Sequence, residues 1–155
     1  MPRFEVTIDI RAPAPTVFAG ITDPKRSTEW NPNIVEISNL IGYPVSEGST
    51  WDQVVVVNGL RIRLQCRIAE YKPPHYGLLR VSGGNQAEIV TQCERIDDTT
   101  RVTQIIDFVM PGGKLGQLAS GLVKGQVQRE VQRGLERQRD TLERESREGH
   151  GPSVI

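Results

Sequence analysis

The chain has 155 residues, of which 37% are hydrophobic, and 19 basic side chains balance 19 acidic ones. This length and composition are typical of one globular domain with a single core. The balanced charge argues against a nucleic-acid interface, which would carry a basic excess. No apolar run reaches the roughly 18 residues of a membrane-spanning helix, and the N-terminus lacks the apolar core of a signal peptide, so we expect a cytoplasmic protein.

The first predicted element is a half-buried strand over residues 4–11, where apolar and polar residues alternate. Pro13 and Pro15 end this strand, and a proline fits the first turn of a helix. A short helix is therefore predicted over residues 16–22. Asp23 and Pro24 break it, and Asp23 can cap a second short turn over residues 25–29.

Six further strands are predicted, over residues 34–41, 50–57, 60–71, 76–82, 86–96 and 101–110. Their connections are too short for a crossover, so neighbours should pair antiparallel. Asn58 and Gly59 form a two-residue hairpin signal, because both tolerate positive φ. The fourth strand alternates most cleanly, so one of its faces should be core or cavity and the other wet. Its apolar face consists of Leu60, Ile62, Leu64, Cys66 and Ile68.

One long helix is predicted over residues 113–148, between a Pro-Gly-Gly breaker and Pro152. Its apolar residues recur every three or four positions on one face. They are Leu115, Leu118, Leu122, Val127, Val131, Leu135 and Leu142. The helix would be about 54 Å long, whereas a compact domain of this size is roughly 40 Å across.

Because the helix is longer than the domain is wide, we expect successive parts of it to have different surroundings. The glycine-rich first part, from Leu115 to about Gly125, should face the mouth of a cavity. Its Gly116, Gly121 and Gly125 either form an adaptable lid beside a ligand entrance or allow close helix packing or a local kink. The middle part should be anchored on the sheet, and the part past Leu142 should overhang or fray. Residues 1–148 would then form a single domain, followed by a flexible tail over residues 149–155.

Short motifs in this order resemble those of the START-like (SRPBCC, Bet v 1-like helix-grip) superfamily. The resemblance covers nearly the whole chain and is greatest to its polyketide cyclase/dehydrase and lipid-transport group. The matching segments are Val17-Phe18, Asp23-Pro24 before Trp30-Asn31-Pro32, Gly48-Ser49-Thr50-Trp51, Ile68-Ala69-Glu70-Tyr71 running into Pro73-Pro74, and Thr100-Arg101-Val102-Thr103.

This resemblance implies an α+β fold with a curved seven-stranded antiparallel sheet, two short helices at one end and a long C-terminal helix. It also implies a cavity between the sheet and that helix. Members bind lipids, sterols, polyketides or hormones, and some are enzymes, so the fold alone does not determine activity.

Twelve residues are candidates for lining such a cavity, although the same residues could fill a solid core. They are Phe18, Trp30, Ile62, Leu64, Cys66, Leu79, Val81, Ile89, Ile106, Phe108, Leu118 and Leu122. The low aromatic content of 5% favours a hollow. Strand register decides which polar strand residues face inward. The candidates are Asp52, Gln53, Thr91, Gln92 and Gln104.

Catalytic and metal-binding patterns are poor in this sequence. Cys66 and Cys93 match no metal spacing and are expected to be buried free thiols, and neither His75 nor His150 has a nucleophile and an acid in a recognisable pattern. We expect no metal and no cofactor. Tyr71, Tyr76 and Arg80 are the first residues to consider for proton transfer.

Two functions therefore follow from the sequence. The first is binding of a small hydrophobic molecule by a monomer or homodimer. The alternative is a polyketide cyclase or dehydratase that uses the same cavity. A third and weaker reading is a protein-interaction module that works through the long helix.

Overall fold

The computed structural model describes residues 3–57, 59–83, 86–109 and 113–149, and within these it leaves out the side chains of residues 109, 113–124 and 149. Seven strands form one antiparallel sheet. They are β1 (Arg3–Ile10), β2 (Ile34–Ile41), β3 (Thr50–Val57), β4 (Leu60–Lys72), β5 (Tyr76–Gly83), β6 (Gln86–Ile96) and β7 (Thr99–Val109). Their spatial order is β1-β7-β6-β5-β4-β3-β2, which confirms the predicted fold class.

Two short helices and one long helix complete the fold. They are α1 (Ala14–Thr22), α2 (Ser27–Trp30) and α3 (Gly113–Gly149). A 3₁₀ turn over Pro24–Arg26 precedes α2, and a side-chain oxygen of Asp23 caps it by accepting the Lys25 N–H at 2.9 Å. In the described part of the chain, no helix combines the length and the apolarity that crossing a bilayer would require.

Tight turns set the register of the sheet. Val57 pairs directly with Leu60, as expected for a two-residue hairpin, and Gly59 has a φ of +81°. Asn58, the other predicted turn residue, lies outside the described residues. Ile96 pairs with Thr99 in the same way, so this turn is two residues shorter than the sequence predicted. A β-bulge at Ala69 shifts the pairing of β4 with β5 between Ile68 and Glu70.

Buried apolar side chains form two clusters on one face of the sheet, which we call the inner face. The helix-covered cluster consists of Phe4, Val6, Ile8, Ile10, Ala12, Val17, Phe18, Cys93, Val102, Ile106, Phe108, Leu135 and Leu142. The β3–β5 cluster consists of Ile34, Trp51, Val55, Leu64, Cys66, Ile68 and Val81. The core is therefore divided, and among the described side chains of α3, Leu135 and Leu142 belong to the first cluster.

The last turns of α3 are docked on the protein, so the expectation that the helix overhangs past Leu142 is wrong. Leu142 is completely buried and lies against Gly20 of α1. Glu143 accepts the backbone N–H of Arg11 at 2.8 Å, and Glu145 pairs with Arg26 at 2.7 Å. The last turns of the helix are therefore held by α1, the 3₁₀ turn and the segment after β1.

Candidate functional site

The inner-face surface where the two clusters meet is the candidate site. Three inner-face residues, Tyr71, Ala87 and Ile89, contact both clusters while remaining partly exposed, and we call these three residues the seam. The margins of the site are also apolar and partly buried. Ile62 and Leu79 lie at the edge of the β3–β5 cluster, and Ile21, Val127 and Val131 lie at the edge of the helix-covered cluster.

The pairing register decides which predicted polar residues face this site. Thr91 pairs with Gln104, and both lie on the inner face, where the Gln104 amide donates to the Thr91 hydroxyl at 3.1 Å. Gln53 pairs with Leu64 on the same face and accepts the indole N–H of Trp51 at 3.3 Å. Thr91 is therefore hydrogen bonded to Gln104, and Gln53 to Trp51, on a surface that is otherwise apolar.

Asp52 and Gln92 lie on the outer face of the sheet. Asp52 pairs with Gln65 and accepts a hydrogen bond from the Asn39 amide at 2.7 Å. Gln92 pairs with Tyr76 on the same face. Neither side chain can therefore orient a molecule held against the inner face.

Tyr71 is the ionisable side chain of the seam. Its ring packs on Phe18 with centroids 5.2 Å apart, and its hydroxyl lies 2.9 Å from the Thr22 hydroxyl. The Thr22 hydroxyl donates its one proton to the Phe18 carbonyl at 2.8 Å. Tyr71 must therefore be the donor to Thr22, and its O–H is held in a fixed direction at the end of α1.

The bulge in β4 explains why Tyr71 faces inward. Strict alternation from Ile68 would place Glu70 on the inner face and Tyr71 on the outer face. The extra residue at Ala69 reverses this order, so that Glu70 pairs with Leu78 outside and Tyr71 with Gly77 inside. A carboxylate is thereby kept off the apolar face and a phenol takes its place.

Tyr76 and Arg80, the other two residues considered for proton transfer, lie on the outer face. The pKa of Tyr76 is raised, first by partial desolvation and then by a hydrogen bond to Glu70 and by the charges of Glu70 and Glu88. Arg80 forms an exposed ion pair with Glu88 at 3.5 Å. Both contacts are on the convex surface, away from the seam.

Cys66 and Cys93 are both free and buried, as expected from the sequence. Burial raises the pKa of each thiol to about 12, with a further small contribution from the charge of Asp52 at Cys66. Both are therefore protonated and poorly nucleophilic at neutral pH. Within the described residues, no three His, Cys, Asp or Glu side chains are grouped so that they could hold a metal ion.

The structure brings most of the predicted lining residues to the inner face, in two groups. Leu64, Cys66, Val81, Ile106, Phe108 and Phe18 are fully buried within the two clusters. Ile62, Leu79 and Ile89 are partly exposed at the seam or its margin. The side chains of Leu118 and Leu122, and the surroundings of Gly116 and Gly121, lie outside the described residues.

Trp30 is placed apart from both clusters. The Arg26 guanidinium stacks on its ring at 4.9 Å, and its carbonyl accepts a hydrogen bond from Arg137 of α3 at 3.0 Å. Trp30 is buried, with 4% of its surface exposed, and the hydrogen bond from Arg137 to its carbonyl joins α2 to the long helix. Its role in lining a site stays a prediction.

Ala87 and Gln138 are inner residues that were not among the sequence candidates. Ala87 belongs to the seam and shows no sequence signal, since alanine is common in every environment. Gln138 is buried on the inner side of α3 between Leu135 and Leu142. The sequence did contain a signal for Gln138, because this residue occupies a position of the apolar stripe at which the spacing predicts a hydrophobic residue.

Comparisons with known proteins agree with this architecture. A family model described as polyketide cyclase/dehydrase and lipid transport matches residues 1–143. A search of curated proteins finds no match.

Among solved structures, the chain is similar to the Zhui aromatase/cyclase from a Streptomyces species, with 18% identity and a TM-score of 0.80 over 96% of this chain and 98% of that one. A protein from Thermus thermophilus matches with 16% identity and a TM-score of 0.79 over 91% and 97%. A conserved protein from Geobacillus kaustophilus matches with 16% identity and a TM-score of 0.73 over 90% and 94%.

Proposed function

The chain belongs to the polyketide cyclase/dehydrase and lipid transport family, and on this basis we propose that it binds a small hydrophobic molecule between the inner face of the sheet and α3. The ligand would be lipid-, sterol- or polyketide-like. One observation carries the proposal, namely that the seam and its margins are apolar, face inward and remain partly exposed. Apolar side chains left accessible in a concave site are typical of ligand pockets.

The polar groups near the seam support the same proposal. Thr91 and Gln104 hydrogen bond to each other, and Gln53 accepts from Trp51. Pairing of this kind lowers the free-energy cost of polar groups on an apolar face. The described inner face therefore offers an apolar ligand a surface whose few polar groups hydrogen bond within the chain.

A binding measurement with a matched pair of variants tests the proposal. The probe is N-phenyl-1-naphthylamine, a neutral molecule whose fluorescence rises in apolar surroundings. Leu79 faces the site and Leu78 faces outward, and both are partly exposed. Leu79→Trp should weaken probe binding about tenfold by filling the site, a change of about 1.4 kcal/mol. Leu78→Trp should bind the probe as the unmodified protein does.

A second measurement uses the purified protein without added probe. Native mass spectrometry should detect a lipid-like molecule that copurifies and is released by organic solvent. If nothing copurifies and the unmodified protein does not bind the probe, the proposed function is wrong. If the probe binds but both tryptophan variants behave alike, binding occurs at a site other than the seam.

An enzyme that cyclises or dehydrates a polyketide-like chain is the second candidate function. The similarity to the Zhui aromatase/cyclase and the phenol of Tyr71 in the seam favour it. On binding of substrate, the phenol would turn its O–H from Thr22 to the bound carbonyl and donate the proton there. Loss of water from a linear polyketone thioester, followed by mass spectrometry, tests this candidate. Tyr71→Phe should retain substrate binding and lose turnover, and no water loss with the unmodified protein would exclude this substrate class.

The proposal also covers location and assembly. We propose a cytoplasmic protein that acts as a monomer or homodimer, with one domain over residues 1–148 and a tail after it. Size-exclusion chromatography with light scattering measures the mass directly. Limited proteolysis should cut first near the C-terminus. A first cut within residues 20–100 would contradict the single-domain assignment.

A further inference from the structure

We propose that Gln138 supplies the hydrogen-bond acceptor that selects ligands carrying a hydroxyl group. This inference rests on the proposed function and names the chemistry of its ligand. Gln138 is 7% exposed, and its side-chain carbonyl oxygen accepts no hydrogen bond within the described part of the chain. Among the buried side-chain oxygen and nitrogen atoms of the described residues, this carbonyl oxygen is the one without a hydrogen-bond partner.

An unpaired acceptor at this depth needs an explanation. A buried amide oxygen that loses its hydrogen bonds to water destabilises the folded state unless a donor replaces them. Other polar groups on the inner face do have such partners, since the Gln104 amide donates to Thr91 and the Tyr71 hydroxyl to Thr22. A methionine or leucine would fill the same position in the stripe at lower cost. The glutamine therefore indicates a donor that comes from outside the chain.

Contacts on either side of Gln138 show where on the fold it lies. One turn before it, the backbone of Gly134 lies against the Trp30 carbonyl of α2, and the adjacent Arg137 donates a hydrogen bond to the same carbonyl. One turn after it, Leu142 lies against Gly20 of α1. Gln138 is therefore positioned above the corner between α1 and α2.

The same corner holds the polar end of the seam. Thr22 is the last residue of α1, and its hydroxyl accepts from Tyr71. A ligand whose apolar body lies along the seam would thus meet Tyr71 and Thr22 at one end, with the Gln138 carbonyl on the helix above them. A hydroxyl on that end of the ligand can donate to Gln138. A methyl group in its place leaves the carbonyl unpaired.

The test compares two probes that differ only in the donor, 2-naphthol and 2-methylnaphthalene. Dissociation constants are measured by fluorescence titration for the unmodified protein, Gln138→Met and Gln138→Leu. Gln126→Leu is the control, because Gln126 is an exposed residue of the same helix. The unmodified protein and the control should prefer 2-naphthol. Both variants at position 138 should bind 2-naphthol about five- to tenfold more weakly, the value of one hydrogen bond, and bind 2-methylnaphthalene unchanged or more tightly.

Each outcome decides between the alternatives. Equal changes for both probes, or no change for either, would overturn the inference. A higher melting temperature in Gln138→Met without loss of 2-naphthol preference would mean that an internal water, not a ligand, satisfies the carbonyl. If the unmodified protein binds neither probe, the proposed function fails, and that result is distinct because it does not involve position 138. Two variants are used so that one that fails to fold leaves the other measurable.

Discussion

The helix-covered cluster and the seam lie on the same face of the same sheet, yet they differ in burial. Val17, Val102 and Leu142 in the cluster are completely buried, whereas Ile89 and Ala87 in the seam remain partly exposed. Among the described residues of α3, Leu135 and Leu142 are buried within the cluster, which accounts for its deep burial. One sheet face therefore carries both a fully buried region and a partly exposed one.

If this division is correct, mutations in the helix-covered cluster should affect stability and leave ligand binding unchanged. Leu142→Ala is the strongest test. It removes a fully buried side chain between α3 and Gly20 and should lower the free energy of unfolding by about 3 kcal/mol. Urea denaturation measures this change. The probe affinity of the folded variant should stay the same, and Arg129→Ala, at an exposed position on the same helix, should change stability by less than about 0.5 kcal/mol.

The two thiols report how far water reaches into each cluster, because Cys93 belongs to the helix-covered cluster and Cys66 to the β3–β5 cluster. The folded pKa of each is about 12, above an ordinary value of 9.0. Below pH 9 both thiols are protonated in folded and unfolded chains. Between pH 9 and 12 the unfolded chain loses these protons first, so stability should fall by up to about 1.4 kcal/mol per pH unit for each thiol.

Urea unfolding of Cys66→Ala and Cys93→Ala at pH 8 and pH 10 measures each contribution. Each variant should lose about 1 kcal/mol less than the unmodified protein over this interval. A variant that keeps the full pH dependence would show that its thiol is accessible to water. If only Cys66→Ala did so, water would reach the β3–β5 cluster and not the helix-covered cluster.

The smallest effect is expected at the docked end of α3. Glu145→Gln removes the charge that pairs with Arg26, which also binds Glu29. Both side chains of the Arg26–Glu145 pair are partly exposed, so the loss in stability should be only about 0.5 kcal/mol and should shrink in high salt. Hydrogen exchange of the last turn of α3 should become faster. No change in exchange there would mean that the Glu143 contact with Arg11 is sufficient to hold the helix end.

The strands and their inner faces could be predicted from the sequence because each is set by local patterns. Alternation identified the apolar face of β4, and the two-residue turn at Gly59 pairs Val57 with Leu60. Together these place Gln53, and not Asp52, on the inner face. The question left open in the sequence could thus have been answered by combining the turn with the alternation.

Two features of the site required the structure. The bulge at Ala69 carries no distinctive residue, yet it determines that Tyr71 and not Glu70 faces the seam. The docking of the helix end also depends on contacts between distant segments, such as Glu143 with Arg11. The overhang expected past Leu142 took the sheet as the sole support of α3, whereas α1, the 3₁₀ turn and the segment after β1 also hold the helix end.

The pairing of the first strand has a consequence for synthesis in the cell. β1 borders only β7, so Phe4 finds its partner Ile106 after almost all of the sheet has been made. At roughly 5–20 residues per second, on the order of ten seconds separate the emergence of the two strands from the ribosome. During this interval the apolar side of β1 has no partner, which makes it a segment for chaperones to protect. Such pairing between distant segments also favours slow folding.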